Sequence, residues 1–312
     1  MNKISVIIPC YYNEGNVSQT FNTLQHTFSL WENAVETEFI FVDDGSKDNT
    51  YNELLQIHNS FPDKTKIIKL VRNVGSYNAL YAGLEYATGD CHVVISADLQ
   101  DPPELIADMY RYWQQGFRLV IANRMDREER ATQKWVASFF HFLMRKFAIR
   151  NAPSGGFDFV LFDKTIKEKI LTLKERNSNI FYLMLWMGYD FVNIPYVRQK
   201  RREGKSKWTL AKKIKLFIDS FVSFSFIPIR LISVIGLILG LGALVYALFI
   251  IIARMFGVID VEGWSALMVV LLFVSSFQMI ALGILGEYLW RILDNTRNRP
   301  LYMIEKVHDT ET

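Results

Sequence analysis

Residues 92–105 read His92-Val93-Val94-Ile95-Ser96-Ala97-Asp98-Leu99-Gln100-Asp101-Pro102-Pro103-Glu104-Leu105. A short β-branched run ends in an acidic turn, and two prolines then open a helical pattern. The same strand–loop–helix sentence recurs on either side. Strands are expected at 4–9, 38–42, 66–71, 92–97 and 118–122, with helices at 17–30, 50–59, 77–87 and 104–114. Asp48 or Asn49 is placed to cap the second helix, and Asp101 to cap the fourth. Such alternation gives an α/β fold, a mostly parallel sheet flanked by helices. Ligands of these sheets lie beyond the carboxyl ends of the strands.

The polar residues gather there. The first strand runs into Pro9-Cys10-Tyr11-Tyr12-Asn13-Glu14-Gly15 and the second into Asp43-Asp44-Gly45-Ser46. The third ends at Arg72-Asn73-Val74-Gly75, the fourth at Asp98-Leu99-Gln100-Asp101 and the fifth at Asn123-Arg124. One acidic turn means little, since turns favour Asp. Carboxylates at several strand ends repel one another unless a cation or a bound hydrogen-bond donor sits among them. No Gly-x-Gly-x-x-Gly follows the first strand and no phosphate-binding Gly-x-x-x-x-Gly-Lys-Ser/Thr occurs, which disfavours dinucleotide oxidoreduction and P-loop hydrolysis.

The chain has 312 residues, with 35 Lys and Arg against 32 Asp and Glu. Half the residues are hydrophobic and the mean hydropathy is +0.11, which excludes a disordered chain. That apolar content is concentrated. Residues 231–253 and 264–286 carry no charge, and each run exceeds the roughly 20 helical residues that cross a hydrocarbon core. Residues 198–215 carry nine basic side chains and the single acid Glu203. The loop between the uncharged runs has no basic excess, and Arg291, Arg297 and Arg299 follow the second. The positive-inside tendency then puts the soluble part and both termini in the cytoplasm.

Residues 210–226 space Ile214, Phe217, Ile218, Phe221 and Val222 helically, with Lys212, Lys213 and Lys215 elsewhere on the turn. An amphipathic helix in the membrane interface is expected, stopped near Pro228. The organisation is therefore a cytosolic catalytic domain at 1–195, a basic linker with its interfacial helix at 196–230, two transmembrane helices at 231–290 and a cytosolic tail at 291–312. The short apolar run at 4–9 ends in proline and reads as a strand rather than a signal peptide. Cys10 and Cys91 are the only cysteines, so no disulfide framework is expected, and no Cys/His cluster has zinc-ligand spacing.

In their order, the strand-end motifs resemble the inverting family 2 glycosyltransferases, whose nucleotide-sugar domain is called the GT-A fold. Ala97 to Leu105, Gly156-Phe157-Asp158-Phe159, Glu175-Arg176-Asn177, Arg201-Arg202-Glu203-Gly204-Lys205-Ser206-Lys207 and Asn298-Arg299-Pro300-Leu301-Tyr302 narrow the likeness. Together with the terminal hydrophobic pair, they resemble polyprenyl-phosphate glycosyltransferases, a group with bactoprenol glucosyltransferases and dolichol-phosphate mannose synthases. The resemblance covers nearly the whole chain.

The resemblance implies transfer of one sugar, with inversion, from a nucleotide sugar (UDP-linked in expectation) to a polyprenyl phosphate such as undecaprenyl phosphate. The setting would be a bacterial inner membrane, with no nucleic acid involved. Relatives also imply a homotetramer, and Gly236, Gly240 and Gly242 permit close helix contact. Pro9, Tyr11 and Glu14 would line the base pocket, with Asp43 and Asp44 reading uracil and ribose and Arg72 touching the nucleotide. Each has a plainer reading: packing for Tyr11, a turn for Asp44, a surface ion pair for Arg72. The diphosphate leaving group gathers negative charge, which a hard divalent cation offsets. Mg²⁺ or Mn²⁺ takes oxygen ligands, and Asp98 and Gln100 are the candidates, converging if strand alternation persists.

A phosphate monoester, with a second pKa of about 6, is largely dianionic at neutral pH and scarcely needs a general base. It needs cations to aim it. Arg124, Arg201, Arg202, Lys205 and Lys207, with Ser206, are the candidates, although the basic run also serves as a topology signal. The resemblance marks Asp158 as the catalytic base, and orientation of the acceptor or of a cationic group is the alternative role. The chain departs from its relatives at Ser96, where they carry the first carboxylate of Asp-x-Asp, and at Ser76, where they often carry lysine. Two rival readings stand beside this one. A processive polysaccharide synthase would carry Gln-x-x-Arg-Trp, which is absent here. A silent nucleotide-binding subunit would draw on Ser96 and Ser76.

Overall fold

A computed structural model describes residues 2–31, 35–124, 142, 145–146, 149, 152–153, 157–173, 175–176, 178–198, 219, 221–256 and 263–310. The chain divides into two compact units, Met1–Ser220 with Pro300–Thr312, and Phe221–Arg299.

The first unit is built on one sheet. Its strands are β1 (Lys3–Cys10), β2 (Glu36–Asp43), β3 (Thr65–Leu70), β4 (Cys91–Val94), β5 (Leu119–Arg124), β6 (Phe159–Asp163), β7 (Phe191–Tyr196) and β8 (Ile304–His308). Their order is β7-β5-β6-β4-β1-β2-β3-β8. Pairings β1–β2, β1–β4, β2–β3 and β5–β7 are parallel, whereas β3–β8, β4–β6 and β5–β6 are antiparallel. The helices are α1 (Val17–Ser29), α2 (Thr50–Ser60), α3 (Ser76–Tyr86), α4 (Leu105–Gln114), α5 (Lys164–Leu173) and α6 (Ile180–Trp186).

The chain leaves β1 in one direction through β2 and β3, then returns to the other side of β1 with β4. The order reverses between β1 and β4, the kind of point where open α/β sheets bind ligands. Strand alternation divides β2 between two layers. Phe39 and Phe41 pack with Phe21 and Leu24 of α1, while Ile40 and Val42 pack with Ala79 and Ala82 of α3. Gly83 lets α3 approach closely, because a Cβ there would lie 2.7 Å from the Ile7 side chain.

The expected strands and helices are present with shifted ends. One shift matters: β4 stops at Val94, and Leu99 adopts a left-handed φ of 50°. Residues 98–100 are therefore a turn, and strand alternation does not bring Asp98 and Gln100 together. Strands β6, β7 and β8 have no counterpart in the sequence reading. Pro195 lies within β7, and an edge strand tolerates a residue without an N–H. Residues 300–312, read as a tail, belong to the first unit, where Lys69 pairs with Glu305 at 3.0 Å and Tyr51 meets His308 at 2.9 Å.

At the amino end of the strands, the buried Glu38 carboxylate accepts from the Ser5 hydroxyl at 2.5 Å and the Thr88 N–H at 2.6 Å, and meets Lys3 at 3.3 Å. Ser5 in turn accepts the Gly89 N–H at 2.8 Å. This knot locks β1, β2 and the loop before β4 together. Both cysteines are buried free thiols.

The second unit contains α7 (Ile227–Met255) and α8 (Trp264–Thr296), both long and apolar enough to cross a membrane. Pro228 lies in the first turn of α7, where a missing N–H is tolerated. Gly236 of α7 faces the Phe277 ring of α8, where a Cβ would sit at an ordinary contact distance of 3.8 Å. Most of the expected amphipathic helix at 210–226 lies outside the described residues.

Candidate functional site

Two loops meet at the ends of β2 and β3. Asp44 accepts the Val74 N–H at 2.7 Å, the Gly75 N–H at 3.0 Å and the Asn73 amide at 2.8 Å. Its carboxylate folds the Arg72–Gly75 loop, so it is more than a turn residue. Burial lifts its pKa to about 6, with Asp43 adding to the rise and the two backbone N–H groups opposing it. Gly45 permits the contact: its φ is 69°, and a Cβ would fall 2.7 Å from the Arg72 carbonyl carbon.

Asp43 is fully buried. Its Oδ1 accepts the Ser46 N–H at 3.1 Å, whereas Oδ2 has no hydrogen-bond partner among the described residues. Burial raises its pKa against the Ser46 bonds. An orphaned buried carboxylate oxygen is expensive, and a ligand N–H or O–H would satisfy it.

The loop after β1 packs against the same group. Tyr12 N–H donates to the Ser46 hydroxyl at 3.0 Å, and Asn13 N–H to the Thr50 hydroxyl at 2.8 Å. Pro9 and Tyr11 are half-buried, and the Tyr11 ring meets Tyr12 edge-on at 4.6 Å. Glu14 is exposed and accepts the Asn49 N–H at 3.3 Å. Asp48, rather than the Asn49 side chain, accepts the first N–H of α2 at 3.2 Å.

Beyond β4, the Ser96 hydroxyl donates to Asp98 Oδ1 at 2.5 Å, and the Gln100 N–H approaches the same oxygen at 3.4 Å. Asp98 and Gln100 are thus neighbours across a tight turn. Ser96 places a hydroxyl donor on the carboxylate where a second carboxylate would repel it. Among the described residues, no three of His, Cys, Asp and Glu are grouped to hold a metal ion.

Asp101 corrects the sequence reading. Helix α4 starts at Leu105, whose N–H bonds the Pro102 carbonyl at 3.2 Å, so Asp101 does not cap it. Its side chain is 1% exposed and takes the Tyr196 hydroxyl at 2.5 Å. Arg198 Nε lies 3.3 Å away and Arg124 Nε 3.9 Å. Parallel pairing of β5 with β7 sets Arg124 opposite Tyr196, and Arg124 Nε donates to that hydroxyl at 3.1 Å. Burial, with Asp101 beside it, pushes the Tyr196 phenol well above its ordinary range, so it remains a donor. The outer nitrogen of Arg124 pairs with Asp158, which the antiparallel β5–β6 ladder brings to the end of β5.

Acidic turns hold one side of this strand-end rim, and arginines anchored on the buried Asp101 hold the other. A glycosyl transferase family 2 model matches residues 5–171. The chain belongs to glycosyl transferase family 2. A Bacillus subtilis relative, the uncharacterized glycosyltransferase YkcC, is 34% identical over 98% of this chain and 94% of its own. The SfII prophage-derived bactoprenol glucosyl transferase of Shigella flexneri is 33% identical over 98% of each chain. Mannosyltransferase PcManGT of Pyrobaculum calidifontis overlays with a TM-score of 0.46 and 16% identity, over 64% of this chain and 57% of its own.

Membership makes the protein a glycosyltransferase with a mixed α/β catalytic unit. The structure brings Asp43, Asp44 and Arg72 into one loop cluster, and Arg124 and Asp158 into one ion pair. Arg72 itself is exposed, its backbone pressed against Gly45. Arg201, Arg202, Lys205, Ser206 and Lys207 lie outside the described residues. Tyr196 and Asp101 are the polar groups that sequence reasoning misses. Their only signal is an aspartate inserted between a metal-type turn and Pro-Pro, where a cap is the ordinary explanation.

Proposed function

We propose that this family 2 enzyme transfers a single sugar from a UDP-sugar to a polyprenyl phosphate, undecaprenyl phosphate in a bacterial inner membrane, with inversion at the anomeric carbon. One observation carries the reading: the Asp98 turn runs directly into Asp101, whose buried carboxylate and the Tyr196 hydroxyl bonded to it hold the Arg124 guanidinium. A site that must hold a diphosphate and a phosphate monoester at once needs both kinds of group. Full-length relatives named bactoprenol glucosyl transferase support the acceptor class.

In this account Asp43 Oδ2 takes a donor from the base or ribose, and Asp44 holds the Arg72–Gly75 loop in shape for it. Pro9, Tyr11, Glu14 and Arg72 border the nucleotide. Asp98 and Gln100 offer one carboxylate and one amide oxygen, which fits a Mg²⁺- or Mn²⁺-type site completed by substrate phosphates. Such a cation, when bound, stabilises charge on the departing diphosphate. Arg124 receives the acceptor phosphate, with Arg201, Arg202, Lys205, Ser206 and Lys207 as further contacts.

A phosphate oxygen donates an electron pair to the anomeric carbon. The bond to the donor diphosphate breaks on the opposite face, and its electrons leave with UDP. The dianion carries no proton to remove, so Asp158 serves by orienting Arg124 rather than as an obligatory base. The two apolar helices are read as membrane spans with both termini cytoplasmic, in a homo-oligomer.

The test is incorporation of radiolabel from a panel of UDP-sugars into undecaprenyl phosphate by the full-length protein. Label should enter the lipid for at least one donor, and Asp98→Ala should abolish it. No incorporation from any donor, with UDP binding intact, would favour a silent subunit.

A further inference from the structure

Asp101 touches neither substrate in the scheme above, yet its position is unusual. A buried carboxylate is costly unless it is paired and hydrogen-bonded. Asp101 binds no backbone N–H of α4 among the described residues. Its partners are all side chains of the strand-end rim: Tyr196 at 2.5 Å, Arg198 at 3.3 Å and Arg124 at 3.9 Å, all on Oδ1, with Ser96 at 3.4 Å from Oδ2.

Arg124 is held along its inner edge. Its Nε donates to the Tyr196 hydroxyl at 3.1 Å and lies 3.9 Å from the Asp101 carboxylate, while its outer nitrogen reaches Asp158. The two carboxylates differ in kind. Asp158 is 45% exposed, and an arriving phosphate can replace it on the guanidinium. Asp101 is sealed behind the arginines and cannot be displaced in the same way. Without its charge, Arg124 and Arg198 would repel one another across a half-dry site and lose their common anchor.

We propose that Asp101 is a positioning residue of the acceptor half: it aims the guanidiniums of Arg124 and Arg198 at the acceptor phosphate. This inference rests on the reading of Arg124 as an acceptor-phosphate ligand. The Ser96 hydroxyl has one proton, which it gives to Asp98 at 2.5 Å, so the charge of Asp101 is left to Tyr196 and the arginines.

The experiment uses the full-length protein in detergent, with Asp101→Asn and Tyr196→Phe. Undecaprenyl phosphate and UDP are each titrated by calorimetry, and KM is measured for both substrates. Asp101→Asn should weaken undecaprenyl phosphate binding and raise its KM about tenfold, a 1.4 kcal/mol effect. UDP affinity should stay within about twofold, a split that general loss of structure would not produce. Tyr196→Phe should shift the acceptor values about threefold in the same direction, and it decides the matter if Asp101→Asn does not fold. Unchanged acceptor affinity in the variants, or equal weakening toward acceptor and UDP, would overturn the proposal. A wild type that binds undecaprenyl phosphate but transfers no sugar would defeat the proposed function alone, with the titrations still judging Asp101. A wild type that binds no undecaprenyl phosphate would defeat both.

Discussion

Asp44 Oδ1 accepts the Val74 backbone N–H at 2.7 Å, so the carboxylate ending one strand shapes the loop ending its neighbour. Burial lifts the carboxyl to about 6, from an ordinary 3.8. The folded chain therefore holds this proton more tightly than the unfolded chain. The stability it contributes is full below about pH 4, falls as pH rises to about 6, and then levels. The melting temperature of the full-length protein in detergent should carry this slope, and Asp44→Asn should remove it. The same variant sets an amide N–H₂ against backbone donors. UDP affinity should then fall about tenfold, with about 1–3 kcal/mol of stability lost near neutrality. Calorimetric titration with UDP checks the first effect and thermal unfolding the second.

Gly45 and Gly75 flank this contact and should respond differently to alanine. Both have positive φ, 69° and 90°, but only Gly45 has backbone within 2.7 Å of a would-be Cβ, while Gly75 has nothing within 4 Å. Gly75→Ala should cost about 1–3 kcal/mol of conformational strain, because φ 90° with ψ 152° is a conformation essentially reserved for glycine. Gly45→Ala should cost about 3 kcal/mol or more, because Arg72 and Asn73 must move, and UDP binding should suffer with it. Equal effects on melting temperature would contradict the close approach.

Glu38 provides an opposite control at the far end of the strands. Although burial opposes ionisation, the Ser5 and Thr88 bonds and Lys3 together hold its carboxyl below the usual range. Its stabilisation is present above about pH 4.5 and is lost as pH falls through the lowered value. Glu38→Gln should lower the melting temperature by the equivalent of about 1–3 kcal/mol and leave UDP affinity unchanged. A large loss of UDP affinity at constant stability would show that the amino end of the strands communicates with the site.

The strand-end acids, the parallel core and the apolar helices are legible in the sequence because each is a local pattern. Val93 and Val94 announce a strand, Pro102 and Pro103 a helix start, and residues 231–253 their own hydrophobicity. Long-range pairing leaves no such mark. Residues 304–308 read Ile-Glu-Lys-Val-His, too polar and short to declare a strand, and they become one only along the open edge of β3. Asp101 and Tyr196 are 95 residues apart, and only the folded sheet, with Asp101 beyond β4 and Tyr196 at the end of β7, makes them neighbours. Strand alternation fails for Asp98 and Gln100 because Leu99 turns left-handed after β4 has ended.

The lipid product itself is the most direct test. Undecaprenyl phosphate, the full-length protein, Mg²⁺ and each UDP-sugar are combined, and the lipid is read by mass and by the coupling of its anomeric proton. The account predicts one added sugar on the phosphate, with the anomeric configuration opposite to that of the donor. A polymer on the lipid, a retained configuration or the absence of any glycosylated lipid would contradict it.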